Sequence, residues 1–109
     1  MGKGDWLGEF ELCVMLAVAA LGAGAYGIRV RQRIEAETGR AVTIGAVYTT
    51  LGRLEEKGLV RFHLSDPQPV AGGRARKCFQ LTAEGTRMLK QSTAMLTRMM
   101  LASRAAIVR

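Results

Sequence analysis

Residues that build metal centres and disulfide frameworks are scarce in this sequence, which has two cysteines and one histidine among 109 residues. Cys13 and Cys78 lie far apart in apolar surroundings, and neither belongs to a CxxC motif. Buried free thiols are therefore the expected state, and nothing calls for an oxidising compartment. Because the chain has no cluster of cysteines and histidines, the sequence predicts no metal site.

Motifs for catalysis and for nucleotide binding are equally scarce. The only histidine, His63, has no acid or nucleophile beside it in the sequence. The short run Gly22-Ala23-Gly24 lacks both the preceding strand and the wider spacing of a phosphate-binding loop. We therefore expect neither enzymatic activity nor a cofactor.

Long hydrophobic runs are limited to residues 12–28, which carry no charged side chain. A transmembrane helix needs about 20 apolar residues, and this run has glycines throughout its second half. Glu9 and Glu11 precede it, where a signal peptide would have positive charge. We interpret the run as a buried helix ending near Leu21 followed by a glycine-rich turn, in a cytoplasmic protein without a membrane segment.

The charge balance is basic, with 16 Lys and Arg residues against 9 Asp and Glu residues and a net charge of +7. Hydrophobic residues make up 49% of the chain, as in an ordinary globular domain. A basic excess suggests a polyanionic partner, either nucleic acid or an anionic membrane surface. Residues 1–27 carry a net negative charge and the remaining residues a net positive charge. This distribution is expected when a structural helix precedes the part of the domain that binds nucleic acid.

Two helices joined by a short turn are predicted for the first part of the chain. Residues 7–21 are apolar on nearly all sides, so we expect this helix to be buried from several directions. Residues 26–38 form a second helix that ends before a glycine. Its apolar side would carry Ile28, Val30 and Ile34.

A third helix begins after Thr43, a good N-cap residue, and runs to about Lys57. Val47, Leu51 and Leu54 are spaced by four and three residues and predict its core face. The residues left on or near its exposed side are Ala46, Thr49, Thr50 and Arg53.

A β-hairpin follows the three helices. Residues 60–64 alternate apolar and polar, with Val60, Phe62 and Leu64 predicted to face inward. Residues 65–73 contain both prolines and a glycine pair, and residues 74–81 begin basic and become strand-like. The hairpin thus presents a projecting basic segment, whose members are Arg74, Arg76 and Lys77.

The last helix begins with Thr82 as N-cap and extends towards the end of the chain. It carries an apolar stripe near heptad spacing, and a helix that follows a complete small domain has little of its own core left to cover. A partner chain is the natural cover, so we predict a homodimer, although the stripe alone also fits packing on its own domain. The predicted dimerisation residues are Met88, Leu89, Ser92, Met95, Leu96, Met99 and Ala102.

The third helix and the hairpin together suggest DNA binding. A helix-turn-helix protein exposes short polar and basic side chains to the major groove while its other side is fixed to a core. A basic hairpin can follow phosphates or enter the minor groove. Taken alone, the third helix is better explained as a plain amphipathic surface helix, and the basic cluster could equally protect an edge strand.

The chain resembles the PadR family of transcriptional regulators. The resemblance covers residues 7 to about 90 and rests on LGEFELCVMLAVAAL, YGIRVRQRI, GAVYTTLGRLEEKGLV and GGRARKCFQLTAEG, the third being the most specific. This chain differs from family members that have an aromatic residue at the end of the second strand. Of its residues Cys78 and Phe79, only Phe79 can fill that packing role. The resemblance implies DNA-binding positions at Tyr26, Arg29, Tyr48, Thr49, Thr50, Arg53, Arg74, Arg76 and Lys77. Thr43 is a further candidate, because the backbone N–H groups at the beginning of the third helix are free to bind a phosphate.

We therefore predict a mainly α protein with a small β-hairpin (α+β): a winged helix-turn-helix over residues 1–81 and a C-terminal dimerisation helix over residues 82–109. The expected function is that of a repressor that binds double-stranded DNA as a homodimer on a pseudo-palindromic operator. Release by a small apolar effector at the dimer interface is a further hypothesis, although simple packing of the methionines is favoured. The alternatives are nonspecific nucleic-acid binding and a protein-interaction module.

Overall fold

The computed structural model describes residues 6–65 and 76–107, which form helices around one two-stranded hairpin. The helices are α1 (Glu9–Leu21), α2 (Gly27–Thr38), α3 (Ile44–Glu56), α4 (Ala83–Ala102) and α5 (Arg104–Ile107), and the strands are β1 (Val60–Leu64) and β2 (Lys77–Leu81). A 3₁₀ turn at Gly22–Gly24 separates α1 from α2. This order confirms the predicted mainly α fold with a small β-hairpin. None of the helices within the described ranges has the length and hydropathy to cross a membrane.

Local signals set the helix ends as predicted. The Thr43 hydroxyl accepts a hydrogen bond from the Ala46 N–H at 3.1 Å, and the Thr82 hydroxyl accepts one from the Gly85 N–H at 2.9 Å. Each hydroxyl supplies an acceptor for an N–H group that the helix itself leaves unpaired. Gly39 ends α2 in the left-handed conformation at φ 72°, which glycine adopts without steric cost.

The core forms where α1, α2 and α3 meet the hairpin and the first half of α4. The predicted core face of α3 is confirmed, since Val47, Leu51 and Leu54 are fully buried. The other buried hydrophobic side chains larger than alanine in the described residues are Val14, Met15 and Val18 of α1, Val30 and Ile34 of α2, Val42 before α3, Leu59 before β1, Val60 of β1, Cys78 and Phe79 of β2, and Leu89 of α4.

Two predicted burial patterns are wrong, each at an edge of the domain. Ile28 is 45% exposed because the buried face of α2 runs through Gly27, Val30 and Ile34, at helical spacing. Leu64 is 62% exposed at the last position of β1. The first helix contacts α2, α3, β2 and α4, as expected of a helix buried from several directions, although Leu16 on its remaining side is exposed.

The hairpin is attached to the beginning of α2 as well as to the core. Its antiparallel register pairs Phe62 with Phe79 and Leu64 with Lys77. The Phe79 N–H donates to the Ala25 carbonyl at 3.0 Å, and Cys78 forms a single β-bridge with Tyr26. Strand β2 therefore holds the chain just before α2 in place. Arg74, which was predicted to begin this strand, lies outside the described residues.

The two halves of α4 have different surroundings. Leu89 and Ser92 are only 8% and 4% exposed, because this part of α4 packs on the chain's own domain. Leu89 and Ser92 were predicted to be covered by a partner chain, but the chain's own domain covers them. Beyond them the same face continues uncovered, with Met99 60% exposed. Helix α4 ends at Ala102, and α5 follows it rather than a continuous helix.

Two ion pairs tie the beginning of α1 to distant segments. Lys57 Nζ lies 2.8 Å from Glu11 Oε2, and Arg40 Nη1 lies 2.8 Å from Glu9 Oε1. Burial acts to raise the pKa of the Glu11 carboxyl. Hydrogen bonds from Lys57 and the Gly8 N–H, together with the positive charges of Lys57 and Arg53, outweigh burial, so that the pKa of Glu11 lies below its ordinary value.

We expect Glu11→Gln to lower the free energy of unfolding at neutral pH by about 1 kcal/mol. Because the pKa of Glu11 is lowered in the folded state, its contribution is fully present above the ordinary pKa of 4.5 and is lost as the pH falls through the lowered value. Urea unfolding at a series of pH values should therefore show the two proteins converging in acid. Glu9→Gln, which breaks the more exposed ion pair with Arg40, is the control. It should lower the free energy of unfolding by a smaller amount. A Glu11→Gln defect that does not change with pH would contradict this assignment.

Candidate nucleic-acid interface

The outward face of α3 carries an aromatic, a hydroxyl and a guanidinium group. Tyr48 is 46% exposed, and Thr49 and Arg53 are also exposed. The opposite face of the helix is fixed in the core, so these side chains stand on a rigid support. This is the arrangement that the helix-turn-helix interpretation requires.

Thr50 does not belong to this outward face. It is only 5% exposed and lies on the buried side of α3 with Val47, Leu51 and Leu54. The spacing of three and four residues places all four on one side of the helix. The prediction that Thr50 faces outward is therefore wrong, and a direct contact with DNA would require it to leave the core.

Tyr48 connects the outward face of α3 to the first turn of α2. A Cβ atom built at Gly27 would lie 2.5 Å from the Tyr48 hydroxyl oxygen, so only glycine allows the ring to lie there. The other side of the Tyr48 ring contacts Phe79, at 6.4 Å between ring centroids. No role was predicted for Gly27, although a glycine at the second residue of the helix predicted over residues 26–38 was a signal.

Two cations at the beginning of β2 lie over aromatic rings. The Arg76 guanidinium is 5.4 Å from the centroid of the Tyr26 ring, and Lys77 Nζ is 4.2 Å from that of Phe62. Such contacts orient a cation without neutralising it. Phe62 in turn packs on Phe79 at 5.9 Å, and Phe79 also contacts Tyr48, so the hairpin and α3 share one aromatic cluster.

Arg29 and Thr43 stand at the beginnings of α2 and α3, respectively. Arg29 is exposed, and its guanidinium lies beside Gly24 of the 3₁₀ turn. The Thr43 hydroxyl caps α3, so its oxygen already accepts a hydrogen bond within the chain. Thr43 serves this surface chiefly by shaping the beginning of α3, where helical N–H groups point outward.

Some basic residues in the described part of the chain are paired with a carboxylate, and others are not. The ion pairs within the described residues join Arg31 to Glu35, Arg33 to Glu37, Arg40 to Glu9, Lys57 to Glu11 and Arg87 to Glu84. Arg29, Arg53, Arg76 and Lys77 make no ion pair with a carboxylate in that part of the chain. Their charge is therefore available to an anionic partner, as is that of Arg61, Lys90, Arg98 and Arg104 elsewhere on the surface.

A family model described as the transcriptional regulator PadR-like family matches residues 15–91. The chain belongs to the PadR-like family. The matched region contains all of α2, α3, β1 and β2, so the surface described above lies within the part that the PadR-like family shares. The resemblance seen in the sequence is confirmed.

Solved structures of PadR-like proteins have the same winged-helix fold. A PadR-like regulator from Bacillus cereus is 17% identical, with 92% of each chain covered and a TM-score of 0.74. A PadR family regulator from Clostridium difficile is 26% identical, with coverage of 84% and 95% and a TM-score of 0.59. PadR from Bacillus subtilis, solved with operator DNA, is 18% identical, with coverage of 75% of this chain and 46% of that one and a TM-score of 0.60. No curated protein sequence matched this chain.

Proposed function

We propose that this PadR-like protein is a sequence-specific, DNA-binding transcriptional repressor that acts as a homodimer on a pseudo-palindromic operator. The observation that carries the proposal is the outward face of α3, where Thr49 and Arg53 are exposed and Tyr48 contacts Gly27 of α2 and Phe79 of β2. Operator DNA bound to PadR from Bacillus subtilis, a protein of the same fold, supports this choice of partner. A DNA partner implies a cytoplasmic location.

The exposed groups fit two different parts of DNA. Helix α3 presents Arg53, whose guanidinium can bind a guanine edge in the major groove, and Thr49, whose hydroxyl can donate or accept. Arg76 and Lys77 at the beginning of β2, together with Arg29, carry charge suited to phosphates. The contacts of Tyr48 with Gly27 and Phe79 hold α3 against α2 and β2, which carry these cations.

The second half of α4 supports the homodimer. Leu96, Met99 and Met100 are between 39% and 60% exposed, on the same helix that packs on the domain through Leu89 and Ser92. A contiguous apolar surface of this kind typically marks an interface. Residues 1–81 would then read DNA and residues 82–109 would pair the two chains, with release by a small apolar effector as the means of control.

Binding to DNA across a series of salt concentrations tests the proposal. The purified protein is titrated with duplex DNA from upstream of its own gene and with a scrambled duplex. We expect selective binding of the natural duplex with two chains per site. Equal and weak binding of both duplexes would reduce the function to nonspecific nucleic-acid affinity. A lack of binding at low salt would favour a protein-interaction module instead.

Two arginines should affect binding differently. Arg53→Ala should weaken binding by about 1–3 kcal/mol and relax selectivity at one operator position, because a base contact is lost. Arg76→Ala should weaken binding to all duplexes alike and reduce the salt dependence of log K by about one unit, because a phosphate contact is lost. Arg87→Ala, which removes an exposed arginine paired with Glu84, is the control. If all three variants bind like the wild type, the assigned surface is wrong.

A further inference from the structure

An ion pair on α2 lies beside the surface that is proposed to bind DNA. Arg31 Nη1 is 3.5 Å from Glu35 Oε1, and both side chains are partly exposed. The second oxygen of the same carboxylate, Oε2, accepts a hydrogen bond from the Val42 N–H at 2.9 Å. Glu35 therefore joins α2 to the turn that leads into α3.

The spacing along α2 places this ion pair on the side of the helix that faces α3. Gly27, Arg31 and Glu35 follow one another at intervals of four residues, so they lie in one row along the helix. At one end of the row Gly27 lies against the Tyr48 ring, and at the other end Glu35 is bonded to Val42, just before α3 begins. Arg31 stands between these two points of contact, next to the outward face of α3.

The contact between Arg31 and Glu35 is long. A distance of 3.5 Å is the limit of a hydrogen bond, so the attraction of opposite charges, more than bond geometry, holds the guanidinium. Arg31 Nε is buried and makes no hydrogen bond within residues 6–65 and 76–107. Loss of the Glu35 charge should therefore be enough to release the charged end of Arg31.

We propose that Glu35 is a positioning residue that keeps the Arg31 guanidinium away from DNA phosphates and thereby limits sequence-independent binding. Each cation that reaches a phosphate adds affinity for any duplex, and this gain depends on salt. The carboxylate is fixed at the turn by Val42, where it competes with phosphates for Arg31. This inference rests on the proposed function, because it concerns the same surface and the same partner.

Titration of Glu35→Gln with DNA across a series of salt concentrations tests this role. Glutamine has the size of glutamate, and its amide oxygen can still accept from the Val42 N–H, so the turn keeps its anchor while the charge that holds Arg31 is lost. We expect tighter binding of both the natural and the scrambled duplex, by about five-fold for each bound chain. The salt dependence of log K should become steeper by about one unit for each chain. A merely structural residue would weaken binding and leave this dependence unchanged.

Glu37→Gln is the matched control for the change in net charge. It breaks the ion pair between Arg33 and Glu37, which has the same spacing along α2. That pair borders the groove between α2 and α1, and Arg33 lies about 160° around the helix from Arg31. The control should therefore bind both duplexes like the wild type. Both glutamine variants should melt within about 5 °C of the wild type, because ion pairs as exposed as these contribute little to stability.

Arg31→Gln, alone and combined with Glu35→Gln, completes a double-mutant cycle. Arg31→Gln leaves the Glu35 carboxylate without its cation, so it should weaken binding of both duplexes. The double variant has the wild-type net charge and no guanidinium to release, so it should bind like the wild type. A double variant that binds as weakly as Arg31→Gln would show that Arg31 already contacts a phosphate in the wild type, which would overturn the proposal.

The proposal is also overturned if Glu35→Gln binds like Glu37→Gln or more weakly than the wild type. Failure of the proposed function gives a different result. If the wild type binds neither duplex at low salt, the proposed function fails and this inference fails with it. If the wild type binds the natural duplex selectively and Glu35→Gln binds no more tightly, this inference alone fails.

Discussion

Met99→Glu should convert the protein to a monomer and lower its apparent affinity for the operator by at least about 100-fold. Met99 is 60% exposed on the uncovered half of α4. A carboxylate there would be buried without a partner in the proposed dimer, which is strongly unfavourable. Each half-site would then be bound by a single chain, and the gain from simultaneous binding would disappear.

Sedimentation equilibrium and operator titration measure this effect. Ala94→Glu is the matched control, because Ala94 is exposed on the same helix but lies about 140° around it from Met99. Both variants should retain the helical content and melting behaviour of the folded monomer unit. A dimeric Met99→Glu protein with full affinity would show that another surface pairs the chains, whereas equal loss in both variants would point to a general effect of charge.

Gly85→Ala should destabilise the domain by about 2–3 kcal/mol, because the added methyl group meets backbone that cannot move aside. A Cβ atom at this position would lie 2.9 Å from the Leu59 carbonyl carbon and closer still to its oxygen. The same oxygen accepts a hydrogen bond from the Thr82 N–H at 3.0 Å, so the two segments are held together at this point. For a domain of this size the melting temperature should fall by roughly 10–20 °C.

Gly52→Ala provides the matched comparison for thermal unfolding. Gly52 is also inside a helix, but a Cβ atom built there has no neighbour within 4 Å. Alanine should therefore stabilise α3 by about 0.5–1 kcal/mol, since it reduces the conformational freedom of the unfolded chain. If Gly85→Ala also stabilised the protein, the close approach of α4 to Leu59 would be refuted.

Local features of the fold were predictable from the sequence because they depend on neighbouring residues. Thr43 and Thr82 cap helices through bonds to N–H groups three residues away, and the alternation in residues 60–64 identified β1. Burial was harder to predict, as Thr50 and Ile28 show. Each stands next to the boundary of an amphipathic face, where a shift of one residue reverses exposure.

Contacts between segments that are distant along the chain could not be predicted from the sequence. The position of Tyr48 over Gly27 and that of Gly85 against Leu59 depend on how helices cross, which no local pattern encodes. The division of α4 has the same origin. Its apolar stripe is continuous in the sequence, and only the extent of the folded domain determines that Ser92 is covered while Met99 is not.

Helix α4 is held along its first half and extends freely beyond Ser92. At its first turn the Thr82 hydroxyl donates to the Gly58 carbonyl at 2.7 Å and the Thr82 N–H donates to that of Leu59, and Leu89 and Ser92 are buried against the domain. The ten residues after Ser92 extend about 15 Å, so a tilt of about 10° displaces the far end of the helix by about 3 Å. In the proposed symmetric dimer, such a tilt in both chains would change the distance between the two surfaces that are proposed to bind DNA.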